Sequence, residues 1–233
     1  MKLEKSKILI TGGSLGIGKE TAKLLTDSGA KVIITGRDKE RLEEAAKYTG
    51  AEPVLFDISD FNSIESKSEE IVKKLGGIDV LINNAGIGVF KRLEKIELED
   101  FNSVFATNVF GLALLTKEIS KTFMKQNSGN IINIASTAGT KGFEGGTIYV
   151  ASKFALRGMT QCWQAELRKF NVRVCLINPS EVTTAFNNES RLERKEESKK
   201  LSSMEIAYTI KSVLKMENKG FIPEVSVWAT NPF

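Results

Sequence analysis

Residues 11–18 read Thr11-Gly12-Gly13-Ser14-Leu15-Gly16-Ile17-Gly18 and follow directly on the apolar run Lys7–Ile10. The apolar run predicts a β-strand, and the amphipathic residues Gly16–Ser28 predict a helix that begins inside the glycine segment. Glycine allows a sharp turn and lets backbone N–H groups approach a pyrophosphate, whose charge the helix N-terminus also favours. The spacing G-x-x-x-G-x-G differs from the G-x-G-x-x-G of the standard dinucleotide fingerprint. The segment therefore predicts a nucleotide-binding turn between a strand and a helix. Its candidate binding residues are Gly12, Ser14, Leu15, Gly16, Ile17 and Gly18.

Short apolar runs alternate with longer amphipathic ones along the whole chain. The predicted strands are Lys7–Ile10, Lys31–Thr35, Pro53–Ile58, Asp79–Asn83, Asn130–Ala135, Val172–Asn178 and Phe221–Trp228. The predicted helices are Gly16–Ser28, Lys39–Thr49, Phe61–Leu75, Leu98–Gln126, Ile148–Phe170 and Met204–Met216, the last opened by a capping box at Ser202 and Glu205. The strands are almost continuously hydrophobic, as expected where helices cover both faces of a parallel sheet. This alternation predicts an α/β fold, in which residues 1–233 form a single-domain, Rossmann-like, doubly wound parallel sheet of about seven strands with helices on both faces.

The composition excludes several classes of site. The 233 residues include no histidine, which rules out Ser-His-Asp and Cys-His nucleophile systems and any His-ligated metal, so no metal site is predicted. The net charge of +4 is small and scattered, so nucleic acid is not an expected partner. Cys162 and Cys175 fall in apolar segments and are predicted to be reduced core residues. The chain begins without signal-peptide architecture and has no apolar stretch near the roughly 20 residues that span a bilayer, so a cytoplasmic protein is expected.

The end of the second predicted strand bears on the nucleotide. Gly36 opens space there, and Arg37 offers a planar guanidinium for a phosphate. Asp38 would hold both ribose hydroxyls of NAD if the strand ran longer, or it would begin the next helix as an N-cap. Leu15 leaves the glycine turn without a second basic residue, which argues against a phosphate site. On balance the residues favour NADP(H), with NAD(H) as the less favoured alternative.

The third and fourth predicted strands end at the same edge of the sheet. Asp57 can accept a hydrogen bond from an adenine amino group, or it can simply cap the end of its strand. Adjacent Asn83 and Asn84 usually indicate a turn, here on the edge that would carry the nucleotide. The candidate binding residues at these two strand ends are Asp57, Ile58, Asn84, Ala85 and Gly86.

Tyr149 and Lys153 are the candidate reactive residues. Four residues are about one helical turn, so the two side chains are predicted to share a face of the helix. A nearby ammonium stabilises a phenolate and lowers a phenol pKa that is otherwise about 10. A tyrosine of this kind exchanges protons with an alcohol or a carbonyl. Ser136, thirteen residues before Tyr149, can supply a hydroxyl to the same oxygen.

Taken together, these motifs resemble those of the short-chain dehydrogenase/reductase family over nearly the full chain. The matching residues are Thr11–Gly18 (T-G-x-x-x-G-I-G), Asn83–Gly86 (N-N-A-G), Asn108, Ser136, Tyr149 with Lys153 (Y-x-x-x-K), and Asn178–Thr184 against the family's N-P-G-x-V-x-T.

The resemblance implies an NADP-dependent carbonyl reductase or alcohol dehydrogenase. Tyr149 would be the catalytic acid/base and Ser136 would position the substrate oxygen. Lys153 would bind the nicotinamide ribose and lower the pKa of Tyr149, and Asn108 would hold a water that links Lys153 to solvent. The last motif adds the candidate cofactor contacts Pro179, Val182 and Thr184.

Two departures from the family pattern concern the substrate side. Ser180 stands where the family usually has glycine, so a mildly strained residue with positive φ is expected there. Residues 87–92 depart from the carrier-protein ketoacyl reductases, which weakens that specific assignment. Phe143 and Phe186 are candidates to face the substrate, with surface aromatics as the alternative.

Several alternatives stay open. The chain can be a catalytically silent NADP-binding regulator, a 3-ketoacyl-carrier-protein reductase, or a relative of the epimerases and dehydratases. The polar stretch Asn187–Lys200 is either a solvated loop or exposed helix, or it is part of a substrate lid over about residues 183–201. Helices Leu98–Gln126 and Ile148–Phe170 are apolar on more than one face, so each is either deeply buried or at an interface. The family resemblance implies that such helices pair in a homodimer or homotetramer. The tail Val225–Phe233 can pack across subunits or close the substrate site.

Overall fold

The computed structural model describes residues 1–186 and 190–232. Within these ranges seven parallel strands form one sheet in the order β3-β2-β1-β4-β5-β6-β7. The strands are β1 Lys7–Ile10, β2 Lys31–Gly36, β3 Glu52–Leu55, β4 Val80–Asn83, β5 Gly129–Ile134, β6 Val172–Pro179 and β7 Glu224–Val227. The helices are α1 Gly16–Thr26, α2 Lys39–Thr49, α3 Ile64–Leu75, α4 Leu98–Phe105, α5 Leu112–Gln126, α6 Thr147–Leu167 and α7 Ser203–Lys215.

Both faces of the sheet are covered, because successive strand residues face opposite cores. In β1, Ile8 and Ile10 pack into one core with Leu25 of α1 and Ile206 of α7. Leu9 of the same strand packs into the other core, on the side of α3, α5 and α6. Alternation of side chains is the ordinary geometry of a strand, and here both faces are apolar. The predicted doubly wound parallel sheet with helices on both faces is therefore confirmed.

The sheet changes direction at β1. The chain runs outward from β1 through β2 to β3, then returns to place β4 on the other side of β1. In such sheets a crevice opens beyond the carboxyl ends of the two central strands. The glycine segment after β1 and the Asn84 turn after β4 border this crevice.

Several predicted boundaries need correction. Strand β3 ends at Leu55 and not at Ile58, because Asp57 turns the chain by accepting hydrogen bonds from the Ser59 backbone N–H and hydroxyl. The predicted helix Leu98–Gln126 is interrupted by a π-helical turn at Ala106–Gly111. The capping box at the start of α7 is confirmed.

The two cysteines differ in environment. Cys175 in β6 is buried as predicted, and burial raises its thiol pKa to about 12, which makes the thiolate scarce. Cys162 in α6 is exposed, so the prediction that it lies in the core is wrong.

None of the helices in the described ranges combines the length and the hydrophobicity that crossing a bilayer requires.

Candidate active site

A cleft of about 960 Å³ lies along the carboxyl ends of the strands. It runs from the glycine turn and the end of β2 to Tyr149 on α6. The predicted site residues that line it are Gly12, Ser14, Leu15, Gly16, Ile17, Arg37, Asp57, Ile58, Asn84, Ala85, Gly86, Ser136, Tyr149, Lys153, Pro179, Val182 and Thr184. Gly18 and Asn108 are not among the lining residues. The structure therefore brings together predicted residues from seven separate parts of the chain.

The glycine turn is held in place by the turn after β4. Gly12 has φ +64°, and a β-carbon there would lie 2.8 Å from the Ala85 Cα. A β-carbon at Gly18 would lie 2.4 Å from the Gly12 carbonyl oxygen. The Asn84 side-chain amide donates to the carbonyl oxygens of Thr11 (3.0 Å) and Gly12 (2.9 Å). The glycines are thus needed for close backbone packing, and Asn84 has a positioning role in addition to its place on the cleft wall.

Thr11 was not among the predicted site residues. Its hydroxyl oxygen accepts hydrogen bonds from the backbone N–H groups of Asn84 and Ala85, each at 3.1 Å. This ties the end of β1 to the residues after β4. Its place as the first residue of the glycine motif was the available signal in the sequence.

The end of β2 carries positive charge toward the cleft. Asp38 is the N-cap of α2: it accepts from the Arg41 N–H at 3.0 Å, and its second oxygen pairs with the Arg41 guanidinium at 2.6 Å. Of the two roles considered for Asp38, the structure therefore shows the N-cap of α2. Arg41 and Arg191 line the cleft with Arg37, and sequence reasoning missed both. Burial, followed by the charges of Arg37 and Arg41, lowers the pKa of Arg191.

Asp57 faces the cleft with one carboxylate oxygen already engaged. That oxygen, Oδ1, accepts from the Ser59 N–H at 2.9 Å and from the Ser59 hydroxyl at 2.7 Å. The capping role considered for Asp57 is therefore present. Contact with an adenine amino group stays a prediction.

Tyr149 and Lys153 share one face of α6, as predicted, and both are buried. The Lys153 ammonium donates to the Ile134 carbonyl oxygen at 3.0 Å and lies 5.6 Å from the centroid of the Tyr149 ring. Ser136 lines the cleft with Tyr149, and its Oγ accepts from the Ala138 N–H at 3.1 Å. The three predicted reactive residues are therefore neighbours at one end of the cleft.

The protonation of this group differs from the prediction. Burial raises the pKa of Tyr149 to about 12, and the Ser136 hydrogen bond opposes this only in part. Burial also lowers the pKa of Lys153 to about 8. The net shift of the Tyr149 pKa is therefore upward, because desolvation of the phenolate dominates and the Lys153 ammonium is directed at Ile134. Stabilisation of a Tyr149 phenolate by Lys153 stays a prediction.

Asn108 lies in the π-helical turn between α4 and α5. Its side-chain oxygen accepts from the Ile87 N–H, and its amide donates to the Ile87 carbonyl oxygen, both at 2.9 Å. The amide also donates to the Ser152 hydroxyl at 3.1 Å. A β-carbon at Gly86 would lie 3.4 Å from the Asn108 oxygen and 3.7 Å from the Lys153 nitrogen, so these groups adjoin. The proposed water relay stays a prediction.

Aromatic rings surround Tyr149. The ring centroids of Phe90 and Phe186 lie 5.4 Å and 5.5 Å from that of Tyr149, and Phe143 lies 5.9 Å from Phe90. All three phenylalanines line the cleft, which sequence analysis anticipated for Phe143 and Phe186 but not for Phe90. Ser180 also lines the cleft, but its φ is not positive, so the expected strain at that residue is absent.

We call residues 190–200 the strap. It has no helix or strand and lies against the cleft, which Arg191 and Arg194 line. Arg194 donates to the carbonyl oxygens of Thr184 and Val182, each at 3.2 Å, and Val182 pairs with Leu201. The predicted lid residues 187–189 lie outside the described residues, as does Phe233 of the tail.

The site fits a nicotinamide dinucleotide on its own geometry. The glycine turn leaves backbone N–H groups at the start of α1 with no acidic residue in the first turn, which suits an anion. Guanidinium groups stand at the end of β2, and a hydroxyl donor stands at the far end of the cleft. In the described part of the chain, no group of three or more Cys, Asp or Glu side chains is placed to hold a metal ion.

Comparison with known proteins agrees with this architecture. The model of the short chain dehydrogenase family matches residues 6–195. A 3-oxoacyl-(acyl-carrier-protein) reductase of Thermotoga maritima is 36% identical over 189 residues, which are 79% of this chain and 77% of that protein.

Two solved structures are also similar. A 3-ketoacyl-(acyl-carrier-protein) reductase of Brucella melitensis, complexed with NADH, has a TM-score of 0.89 and 27% identity, covering 99% of this chain and 100% of its own. An alcohol dehydrogenase of the archaeon Thermococcus sibiricus, complexed with 5-hydroxy-NADP, has a TM-score of 0.87 and 27% identity, covering 97% of each chain. With a family match over most of its length and these relatives, the chain belongs to the short-chain dehydrogenase family, a family of oxidoreductases.

Proposed function

We propose that this chain, as one domain, is an NADP-dependent oxidoreductase that interconverts a carbonyl compound and an alcohol. The observation that carries the proposal is the meeting of Tyr149, Ser136 and Lys153 at one end of a cleft whose other end presents an anion-binding turn. When bound, the nicotinamide would donate or accept the hydride. The turn residues Gly12–Gly18, the Asn84–Gly86 turn and residues 179–184 would hold it.

The residues around the substrate oxygen would manage the proton. In the direction of reduction, the Tyr149 hydroxyl gives its proton to the carbonyl oxygen as negative charge develops there. Ser136 donates a hydrogen bond to the same oxygen, and the Lys153 ammonium stabilises the remaining phenolate. Burial raises the pKa of Tyr149 to about 12, so the phenol carries the proton that this step requires at neutral pH.

Three guanidinium groups support NADP as the cofactor. Arg37, Arg41 and Arg191 line the cleft at the end of β2, where the adenosine ribose would lie. Asp38 is committed to Arg41 and to the cap of α2, so it is poorly placed to hold two ribose hydroxyls. The two solved neighbours carry different cofactors, NADH and 5-hydroxy-NADP, so this preference rests on the residues of this chain.

Replacing Arg37 tests the cofactor preference. Arg37→Ala is expected to weaken NADPH binding about tenfold and to change NADH binding less than about twofold, because a hydrogen bond to a charged group contributes about 1.5–3 kcal/mol and Arg37 is exposed. Titration of nicotinamide fluorescence gives both Kd values. Lys39→Ala is the control, since this exposed lysine pairs with Glu43 at 3.9 Å and does not line the cleft. Equal weakening for both cofactors would remove the phosphate role from Arg37.

The function itself is tested by turnover. NADPH and NADH oxidation would be followed by absorbance with aldehydes, ketones, diketones, ketosteroids and ketoacyl thioesters. Turnover with at least one carbonyl class supports the proposal. Tight NADPH binding without any turnover would instead favour a silent regulator on the same fold.

A carrier-bound ketoacyl thioester belongs in that panel for a specific reason. The Thermotoga maritima relative is named for this substrate. Against it, basic residues beside the cleft are engaged internally: Lys91 pairs with Asp100, and Arg92 pairs with Glu144, both at 2.8 Å. An acidic carrier protein would compete with these pairs. The thioester is therefore the second candidate behind a free carbonyl compound.

We also propose a homodimer or homotetramer built on α4, α5 and α6. These helices and the π-helical turn between α4 and α5 expose large apolar side chains, among them Leu98, Phe110 and Phe154, which are 68%, 50% and 45% exposed. Apolar patches of this kind mark interaction surfaces. Sedimentation velocity should show a dimer or a tetramer, and Phe110→Glu with Phe154→Glu should shift it to monomer. Tyr208→Glu on α7 is the control, and a wild-type monomer at micromolar concentration would contradict the proposal.

A further inference from the structure

The N-terminus of α1 has no cap from its own sequence. Leu15 occupies the N-cap position without a side-chain hydrogen bond, and the first turn contains no acidic residue. Most helices satisfy these N–H groups with Ser, Thr, Asp or Asn at the N-cap. Here the N–H groups face the cleft, where an anionic ligand would be attracted to them.

In this structure a carboxylate from the strap occupies this position. Glu193 Oε1 accepts a hydrogen bond from the Gly16 N–H at 3.1 Å. The Lys19 ammonium, one turn into α1, donates to both Glu193 oxygens at 2.9 Å. These contacts lower the pKa of Glu193 even though burial alone would raise it, so the group is an anion near neutral pH. Glu193 therefore supplies the helix with the negative charge that its own sequence omits.

We propose that Glu193 is a stand-in for the pyrophosphate of the cofactor, and that its carboxylate must withdraw before the cofactor binds. Two anions cannot share the Gly16 N–H, and the strap lies against the cleft that the cofactor would fill. The glycine motif itself does not require a glutamate at position 193. The inference rests on the cofactor binding proposed above.

The attachment of the strap allows such a withdrawal. Its far end is held by Lys200, which pairs with Glu181 at 3.1 Å, and by the neighbouring pairing of Leu201 with Val182. Arg194, next to Glu193, is held by carbonyl oxygens of residues 182 and 184. None of these contacts involves α1. The Glu193 side chain can thus leave the helix while the strap stays attached to the rest of the site.

The contact between Glu193 and the start of α1 should weaken cofactor binding only to the extent that it is populated in the protein without cofactor. Where only a fraction of the free protein is competent to bind, the measured Kd rises by the inverse of that fraction. Lys19 and Glu193 are partly exposed, with side chains 19% and 41% accessible, so water screens the pair. We therefore expect an effect of about threefold, within the range of exposed charge pairs with one added backbone hydrogen bond.

The test compares two carboxylates of the strap. Glu193→Gln keeps the shape and removes the charge, and Glu197→Gln removes a carboxylate that pairs with Lys200 and does not line the cleft. Stopped-flow nicotinamide fluorescence would give association and dissociation rates for NADPH and NADH. Glu193→Gln should raise the association rate of both about threefold and leave both dissociation rates unchanged, because the contact exists only in the free protein. Glu197→Gln should match the wild type.

A second comparison isolates the ion pair. In a Lys19→Met background, the gain from Glu193→Gln should shrink, as expected for two groups that interact directly. Unchanged association rates in Glu193→Gln, or a faster dissociation rate, would overturn the inference while leaving the proposed function intact. Failure of the wild type and the variant to bind either cofactor would overturn the proposed function and the inference with it.

Discussion

Tyr149→Phe is expected to lower kcat for carbonyl reduction about a thousandfold, with less than about a threefold change in the Kd for NADPH. General acid catalysis by a placed side chain contributes roughly 10²–10⁴-fold, and this substitution removes only the hydroxyl that we propose as the proton donor. The ring is 8% exposed and packs against Phe90 and Phe186, so phenylalanine should keep that packing. Ser136 would retain its contact with the Ala138 N–H, so the rest of the site should persist.

The measurement pairs steady-state turnover with cofactor binding on the same protein sample. Tyr208→Phe is the matched control, because Tyr208 lies on α7 and is 55% exposed. Its kcat should be that of the wild type. A Tyr149→Phe protein that keeps more than about a tenth of wild-type kcat would show that another group supplies the proton.

Much of the fold was accessible from the sequence because burial on both faces of a parallel sheet leaves a simple signal. Strand β1 and helix α2 have the predicted bounds. Strand β1 is a short apolar run, and α2 begins after the N-cap Asp38 and ends before Gly50. The end of β3 was misplaced because the apolar residues Phe56 and Ile58 are buried outside any strand. A hydrophobic pattern indicates which residues are buried, and a residue can be buried without forming the backbone hydrogen bonds of a strand.

The site residues likewise include some that the sequence could predict and some that it could not. Residues at strand ends and within short motifs, such as Gly12, Asn84 and Tyr149, could be named because topology alone brings them together. Arg191 and Glu193 could not, because the strap has no periodicity and its place over the cleft depends on distant tertiary contacts. The sign of the Tyr149 pKa shift was also inaccessible, because it depends on how completely the ring is removed from water.

Lys153→Met is expected to abolish most activity and yet to stabilise the fold by about 2 kcal/mol at pH 7. The pKa of Lys153 is about 8 in the folded protein against an ordinary value of 10.5, so below pH 8 the fold holds a charged ammonium that burial disfavours. That difference corresponds to about 3 kcal/mol, of which the lost hydrogen bond to Ile134 returns about 1 kcal/mol.

The pH dependence of this stabilisation follows from the direction of the shift. A lysine with a lowered folded-state pKa destabilises the fold fully below about pH 8, and the destabilisation fades as pH rises from 8 toward 10.5, where the amine is neutral in both states. The gain from Lys153→Met should therefore be present at pH 7 and small or reversed at pH 10. Urea unfolding at both pH values measures it, with Lys125→Met on the exposed end of α5 as a control expected within about 0.5 kcal/mol of wild type.

The pH dependence of activity should show the same titration of Lys153. Here the charged form is the favourable one, whereas for stability it is the unfavourable one. In the wild type, reduction should be fastest below about pH 8 and fall above it as Lys153 loses the charge that stabilises the Tyr149 phenolate, while Tyr149 itself stays protonated to about 12. The residual activity of Lys153→Met should lack this fall. A wild-type profile that rises through pH 8 would assign the limiting titration to another group. Natural proteins depart from the most stable arrangement chiefly at functional sites, so the proposed role of Lys153 beside Tyr149 would account for a buried ammonium that lowers stability.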